Sequence, residues 1–203
     1  MSKPFVYLAS QSPRREELLT QIGVGFRVFV HKPEGALDAV DESALPDEIP
    51  VAYVQRVARA KAEAGQRALR EHAMPAHPLL AADTTVAAGN VILGKPGTTA
   101  DAARMLRALS GRTHRVYTAV ALAWQDRIDV ALSESSVTMR ELDEDDIARY
   151  VETQEPMGKA GSYAVQGRAA IFISRIEGSY SGVMGLPLFE TANLLRAAGI
   201  ALP

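Results

Sequence analysis

Two runs, Thr113–Trp124 and Arg127–Met139, are parted only by Gln125-Asp126, and no other feature of the sequence narrows the possible folds so far. Both are rich in strand-forming residues, and a two-residue connection joins strands only as an antiparallel hairpin. Strands of this length outrun the usual five or six residues, so their apolar faces need cover from other elements.

The rest of the chain supplies that cover. Val51 to about His72 reads as a helix with Val54, Ala58, Lys61 and Ala62 on one stripe, so an apolar face carries a lysine. Arg14 to Gly23 reads as a helix after a strand at Phe5–Ala9 and a polar turn at Ser10–Pro13, with a further strand at Phe26–Val30. Lys32 to Pro50, dense in Pro, Gly, Asp and Glu, reads as a long loop, of the kind that in compact domains is often functional. Leu79–Ala88 is a strand, Gly89-Asn90 a turn into Val91–Leu93, and a helix opens near Thr99 and closes at Gly111. An acidic-started helix spans Asp143 to Thr153, a strand spans Ala169–Ile176, and a last helix spans Pro187–Ala198. The expectation is a mixed α/β chain with no repeat, linker or low-complexity segment, organised as one domain over residues 1–203.

Hydrophobic residues make up 47% of the chain, enough for a sizeable core. A net charge of -2 gives no basic footprint for nucleic acid, so phosphate binding would need a few locally placed cations. With no cysteine, thiolate metal sites and thiol nucleophiles are excluded, and the four histidines include no helical i,i+4 pair. Any metal is therefore expected to be magnesium or manganese on carboxylates. The first apolar run, Phe5–Ala9, is too short for a signal peptide or a membrane span, which makes the expected location cytoplasmic and gives no membrane partner.

Four places carry side chains suited to chemistry. Ser10-Gln11-Ser12-Pro13-Arg14-Arg15 brings hydroxyls and two guanidiniums to a helix start, which suits a polyphosphate; a capped helix with two solvated arginines would read the same. Asp83 interrupts an apolar strand, where a buried carboxylate needs a metal, a cation or a job: it could activate water as a general base or hold a metal, or be a strand-end aspartate bonded to a turn. Lys61 and Lys95 are candidate stabilisers of a departing pyrophosphate, although snorkelling also explains Lys61; Glu42, in the long loop, is a candidate magnesium ligand or a solvated acid. The Gly-rich run Glu155–Gly167 offers Lys159, Tyr163 and Gln166 as cation, ring and amide, or is simply a surface loop. Gly89–Lys95 has P-loop spacing, but Pro96 stands where a metal-binding hydroxyl belongs and Val91-Ile92-Leu93 reads as strand, which excludes an ordinary ATPase or GTPase.

Taken together and in order, these segments resemble the Maf family. Leu8–Arg15 resembles its N-terminal signature, Ala82-Asp83-Thr84 its catalytic segment and Gly94-Lys95-Pro96 its second lysine motif. Asp41-Glu42-Ser43, Arg59-Ala60-Lys61-Ala62, Lys159–Tyr163 and Gly185-Leu186-Pro187 also match, so the similarity spans nearly the whole chain. The resemblance implies an ITPase-like α/β fold, a long mixed sheet flanked by helices with a cleft between two lobes. It implies hydrolysis of a nucleoside triphosphate to monophosphate and pyrophosphate with a divalent cation, Mg2+ or Mn2+. By the same resemblance Asp83 accepts the proton of the attacking water, Glu42 and Asp83 serve the metal, and Ser10, Arg14, Arg15, Lys61 and Lys95 hold the triphosphate. Asp41 stays open as an alternative to Glu42. Arg14, Thr84, Lys159 and Gln166 resemble the branch acting on dTTP and UTP rather than the one acting on 7-methyl-GTP, and a homodimer is the family's expectation. The rival readings are a nucleotide-binding regulator of cell division, a role with which the family has been linked, and the same enzyme acting chiefly on 7-methyl-GTP or another modified nucleotide in a house-cleaning role.

Overall fold

The structure is a computed structural model that describes residues 5–30 and 40–202. In chain order the elements are β1 (Val6–Leu8), α1 (Pro13–Gln21), β2 (Phe26–Val28), α2 (Pro50–Glu71), β3 (Leu79–Ala88), β4 (Val91–Leu93) and α3 (Thr99–Leu109). They continue with β5 (Thr113–Trp124), β6 (Arg127–Met139), α4 (Glu144–Glu152), β7 (Ile173–Glu177), α5 (Tyr180–Met184) and α6 (Leu188–Ala197). Seven strands form one mixed sheet in the order β2-β1-β3-β5-β6-β7, with β4 folded back on β3. The β1 strand runs parallel to both neighbours and every other pairing is antiparallel. The expected hairpin is its spine: β5 and β6 pair from Thr113↔Thr138 to Trp124↔Arg127.

Alternation along β3 sorts its side chains between two layers. Leu79 and Ala81 pack with Tyr53, Val54, Val57, Ala58 and Ala62 of α2. Leu80 and Ala82 pack on the other face with Leu18 and Leu19 of α1 and Leu195 of α6. Farther along, Val86, Val116 and Val137 are covered by Leu106 and Leu109 of α3 and by Ile147 and Tyr150 of α4. Each fully buried leucine in these layers contributes about 1.5–3 kcal/mol. Because β3 is covered on both faces, its sequence is a nearly unbroken apolar run, and Asp83 is buried within it at 7% exposure.

Local chemistry sets the helix starts. Pro50 opens α2 at a position where its missing N–H costs nothing. Reciprocal capping boxes, Thr98 with Asp101 and Asp143 with Asp146, open α3 and α4.

Three expectations need amendment. The tail strand expected over Ala169–Ile176 begins as a 3-10 turn, Arg168–Phe172, because the Glu155 carboxylate takes the Arg168 and Ala169 N–H groups at 3.1 and 3.4 Å and removes them from ladder pairing. The short α5, capped by Ser179 through Gly182 N, lies between the expected strand and the last helix, where no element was expected. Of the long loop, residues 31–39 lie outside the described residues, while 40–49 carry no helix or strand and Pro50 belongs to α2.

Candidate active site

The position of Lys61 follows from close packing of α2 on β3. A Cβ at Gly65 would come within 2.7 Å of Leu79 Cδ1, so glycine there lets the helix lie tight on the strand, beside the fully buried Ala58 and Ala62. The stripe then carries Lys61 onto Asp83, which shares the strand parity of Leu79 and Ala81. Lys61 Nζ lies 2.8 Å from Asp83 Oδ1 and 2.8 Å from Glu42 Oε1, which holds the two carboxylates within about twice that distance of each other. Lys95 Nζ, just past β4, reaches the other Glu42 oxygen at 3.3 Å. Burial works against ionising Glu42, but hydrogen bonding and the charges of Lys61 and Lys95 outweigh it and bring its pKa below the ordinary range. Asp83 Oδ2 is buried with no hydrogen-bond partner, an orphan that stable interiors rarely leave without a purpose.

The loop between β1 and α1 forms the facing wall. Ser12 stands at the N-cap of α1, yet its side chain makes no capping hydrogen bond, so the bland reading of this segment as a helix cap is not what the structure contains. Arg15 donates from Nε to Gly185 O at 2.7 Å and from Nη1 to Ser10 Oγ at 3.1 Å, which fixes the guanidinium across the site. Burial pulls the Arg15 pKa down, opposed by the negative charge of Asp83, and an arginine so placed remains a cation. Thr84 Oγ1 lies 3.0 Å from Thr118 Oγ1, which itself lies 2.7 Å from Gly182 O. Thr118 is the donor toward both, its single proton shared between the Thr84 hydroxyl and the Gly182 carbonyl, which ties the strand floor to α5.

The third wall is the glycine-rich segment. Gly161, at φ 67°, donates to Gly94 O at 3.1 Å, and a Cβ there would sit 2.8 Å from three Val86 carbons. Only glycine tolerates both the conformation and the approach. Lys159 is held by the Glu155 carbonyl, and its pKa is lowered by burial and by nearby Arg14. Tyr163 OH lies 2.8 Å from His114 Nε2 in a buried pair.

Together these walls enclose a cavity of about 1030 Å³. Ser10, Arg14, Arg15, Glu42, Lys61, Asp83, Thr84, Lys95 and Lys159 all line it. Gln166 does not: it is exposed and lies outside the lining. The charged lining among the described residues is five cations and two carboxylates, an excess of positive charge in a chain whose net charge is -2. Such a cavity attracts a polyanion. Among the described residues no cluster of three or more His, Asp or Glu could hold a metal alone. The orphan Asp83 oxygen and the Glu42 carboxylate nevertheless fit a magnesium-like ion, which is commonly bound by one or two carboxylates with water and substrate phosphate completing its shell.

Sequence reasoning passed over Tyr53 and Arg56 of α2, which grip the backbone around Glu42, and Glu155, which organises the third wall. The first two lie on the turns just before Lys61, but nothing in sequence spacing shows which carbonyls they reach.

Fold and site define a mixed α/β protein with an open, cation-lined cleft and a buried carboxylate on its floor. The Maf-like protein family model matches residues 5–198, and the chain belongs to that family. It is 56% identical over 194 residues to a dTTP/UTP pyrophosphatase of Cupriavidus pinatubonensis, covering 96% of each chain. A dTTP/UTP pyrophosphatase of Burkholderia pseudomallei is 54% identical over 202 residues, with 98% of this chain and 96% of the relative covered. One of Bordetella parapertussis is 54% identical over 201 residues, at 98% and 95% coverage. No helix among the described residues is long and apolar enough to cross a membrane.

Proposed function

We propose that this chain is a nucleoside triphosphate pyrophosphatase that hydrolyses the α-β phosphoanhydride of dTTP and UTP, releasing the monophosphate and pyrophosphate. The observation that carries the reading is Asp83: Lys61 fixes one carboxylate oxygen at 2.8 Å and leaves the other, buried and unpartnered, in a cation-lined cleft. That oxygen carries two lone pairs, one for the cation and one that accepts the proton of the attacking water. Arg14, Arg15, Lys95 and Lys159, with Ser10, hold the triphosphate and offset charge developing on the departing pyrophosphate. Glu42 and Asp83 would hold a divalent cation, Mg2+ or Mn2+, which when bound supplies Lewis-acid neutralisation of phosphate oxygens. The names of the relatives support the choice of dTTP and UTP, and the same reading puts the enzyme in the cytoplasm with its nucleotide pool. A regulator that only bound nucleotide would need the cations but not a buried carboxylate with a free oxygen.

Asp83→Asn tests the assignment, because the amide keeps an acceptor for Lys61 and loses the base. Turnover should fall by about 10² to 10⁴-fold while nucleotide binding persists. Lost binding with surviving turnover would contradict the role given to Asp83.

A further inference from the structure

The segment that brings Glu42 to the cleft has no helix or strand of its own and is held from outside, by α2. Arg56 Nε and Nη2 grip Glu48 Oε1 and Oε2 at 2.7 and 2.8 Å. The same guanidinium donates from Nη2 to Ser43 O at 2.9 Å and from Nη1 to Asp41 O at 3.4 Å, the two carbonyls that flank Glu42. Tyr53 OH, whose ring lies 5.6 Å from Arg56 Cζ, donates to the carbonyl of Glu42 itself at 2.9 Å. Three consecutive carbonyls are therefore fixed by one helix face, while the Glu42 side chain stays available to Lys61 and Lys95. Asp41 is turned to another use: its Oδ1 accepts from Ser43 N at 2.8 Å, and it does not line the cavity.

We propose that Arg56, supported by Glu48 and Tyr53, is a positioning residue whose task is to present the Glu42 carboxylate to the reacting centre. It touches no reacting atom, and it acts only through Glu42. The fork geometry matters: a planar guanidinium can grip a carboxylate with two donors and still reach two carbonyls, which a single ammonium cannot do. The Glu48 side chain in this grip is only 8% exposed, and hydrogen bonding to Arg56 takes its pKa down to about 2, so the strap keeps its charge throughout the neutral and mildly acidic range. The proposal rests on the reading of this cleft as a metal-assisted pyrophosphatase site only in the choice of assay.

The test uses the full-length protein as wild type, Arg56→Lys, Arg56→Ala, Glu42→Gln and the double variant Arg56→Ala/Glu42→Gln, with circular dichroism to compare their folds. Two quantities are read: kcat/KM for UTP across a Mn2+ titration, and Mn2+ binding followed by electron paramagnetic resonance with α,β-methylene-UTP present. Arg56→Ala and Arg56→Lys should both weaken Mn2+ binding by about tenfold or more, the usual cost of losing a group that orients a ligand. In the Glu42→Gln background, Arg56→Ala should change nothing further. Failure of the proposal is a multiplicative double variant, a wild-type Mn2+ titration in Arg56→Lys, or Arg56→Ala without any effect. If Glu42→Gln lowers kcat/KM but leaves Mn2+ binding intact, and Arg56→Ala does the same and is silent in that background, the positioning role stands and the metal assignment of Glu42 falls.

Discussion

Mild acid should destabilise this protein through His114 in particular. The ring is 2% exposed on β5, with Nε2 against Tyr163 OH at 2.8 Å and Nδ1 buried without a partner. Burial is the sole cause that pushes its pKa from 6.5 down to about 4. The folded chain therefore refuses a proton that the unfolded chain accepts, and stability is lost as pH falls from the unfolded value toward the folded one. At about 1.4 kcal/mol for each pH unit between the two values, His114 accounts for a loss of about 2 kcal/mol between pH 7 and 5 and about 3 kcal/mol by pH 4. Carboxylates with lowered pKa values, Glu42 and Asp146 among them, add their own losses at lower pH, so the upper window isolates the imidazole. The comparison is urea unfolding of wild type and His114→Phe at pH 7 and pH 5. At pH 7 the variant should be weaker by about 1–3 kcal/mol, because Tyr163 OH is left buried without a partner, and adding Tyr163→Phe should restore most of that. Between pH 7 and 5 the variant should escape the wild-type loss. An equal loss in both proteins would refute the argument.

Two further outcomes follow from the third wall of the cleft. Gly161→Ala must hold alanine at φ 67° and place its Cβ 2.8 Å from Val86, which should cost about 2–5 kcal/mol in thermal or chemical unfolding. Adding Val86→Ala removes two of the three close carbons and keeps the Cβ at 2.8 Å, so it should restore only part of the loss; full recovery would show that the conformation costs nothing. Gln166→Glu should shift the ratio of UTP to CTP turnover without weakening the phosphate site, if an amide outside the cavity lining reaches the base once substrate is bound. An unchanged ratio would remove Gln166 as the base reader.

Much of this architecture was legible because it is written in periodicity and in its interruptions. An aspartate inside an apolar run at Leu79–Ala88 and a lysine on the apolar stripe of Val51–His72 are each anomalous alone, and their 2.8 Å contact explains both. The paired runs on either side of Gln125-Asp126 fold as the expected hairpin. The Arg56 strap was not legible, since it binds backbone carbonyls whose positions depend on the path of a loop with no pattern of its own. The His114–Tyr163 pair joins residues 49 apart, on a strand and in an extended stretch after a 3-10 turn, which local spacing does not reveal. At Ala169 a strand-like sequence yields to a turn because the distant Glu155 carboxylate takes its amide. There a tertiary contact overrides local preference.

The proposed reaction is tested most directly by product analysis with dTTP, UTP, CTP, GTP, ITP and 7-methyl-GTP, in Mg2+ or Mn2+ and again with chelator. Equal amounts of monophosphate and pyrophosphate are expected, formed fastest from dTTP and UTP, with none once the metal is removed. Orthophosphate as the product, turnover indifferent to chelator, preference for 7-methyl-GTP, or no hydrolysis of any substrate would contradict it.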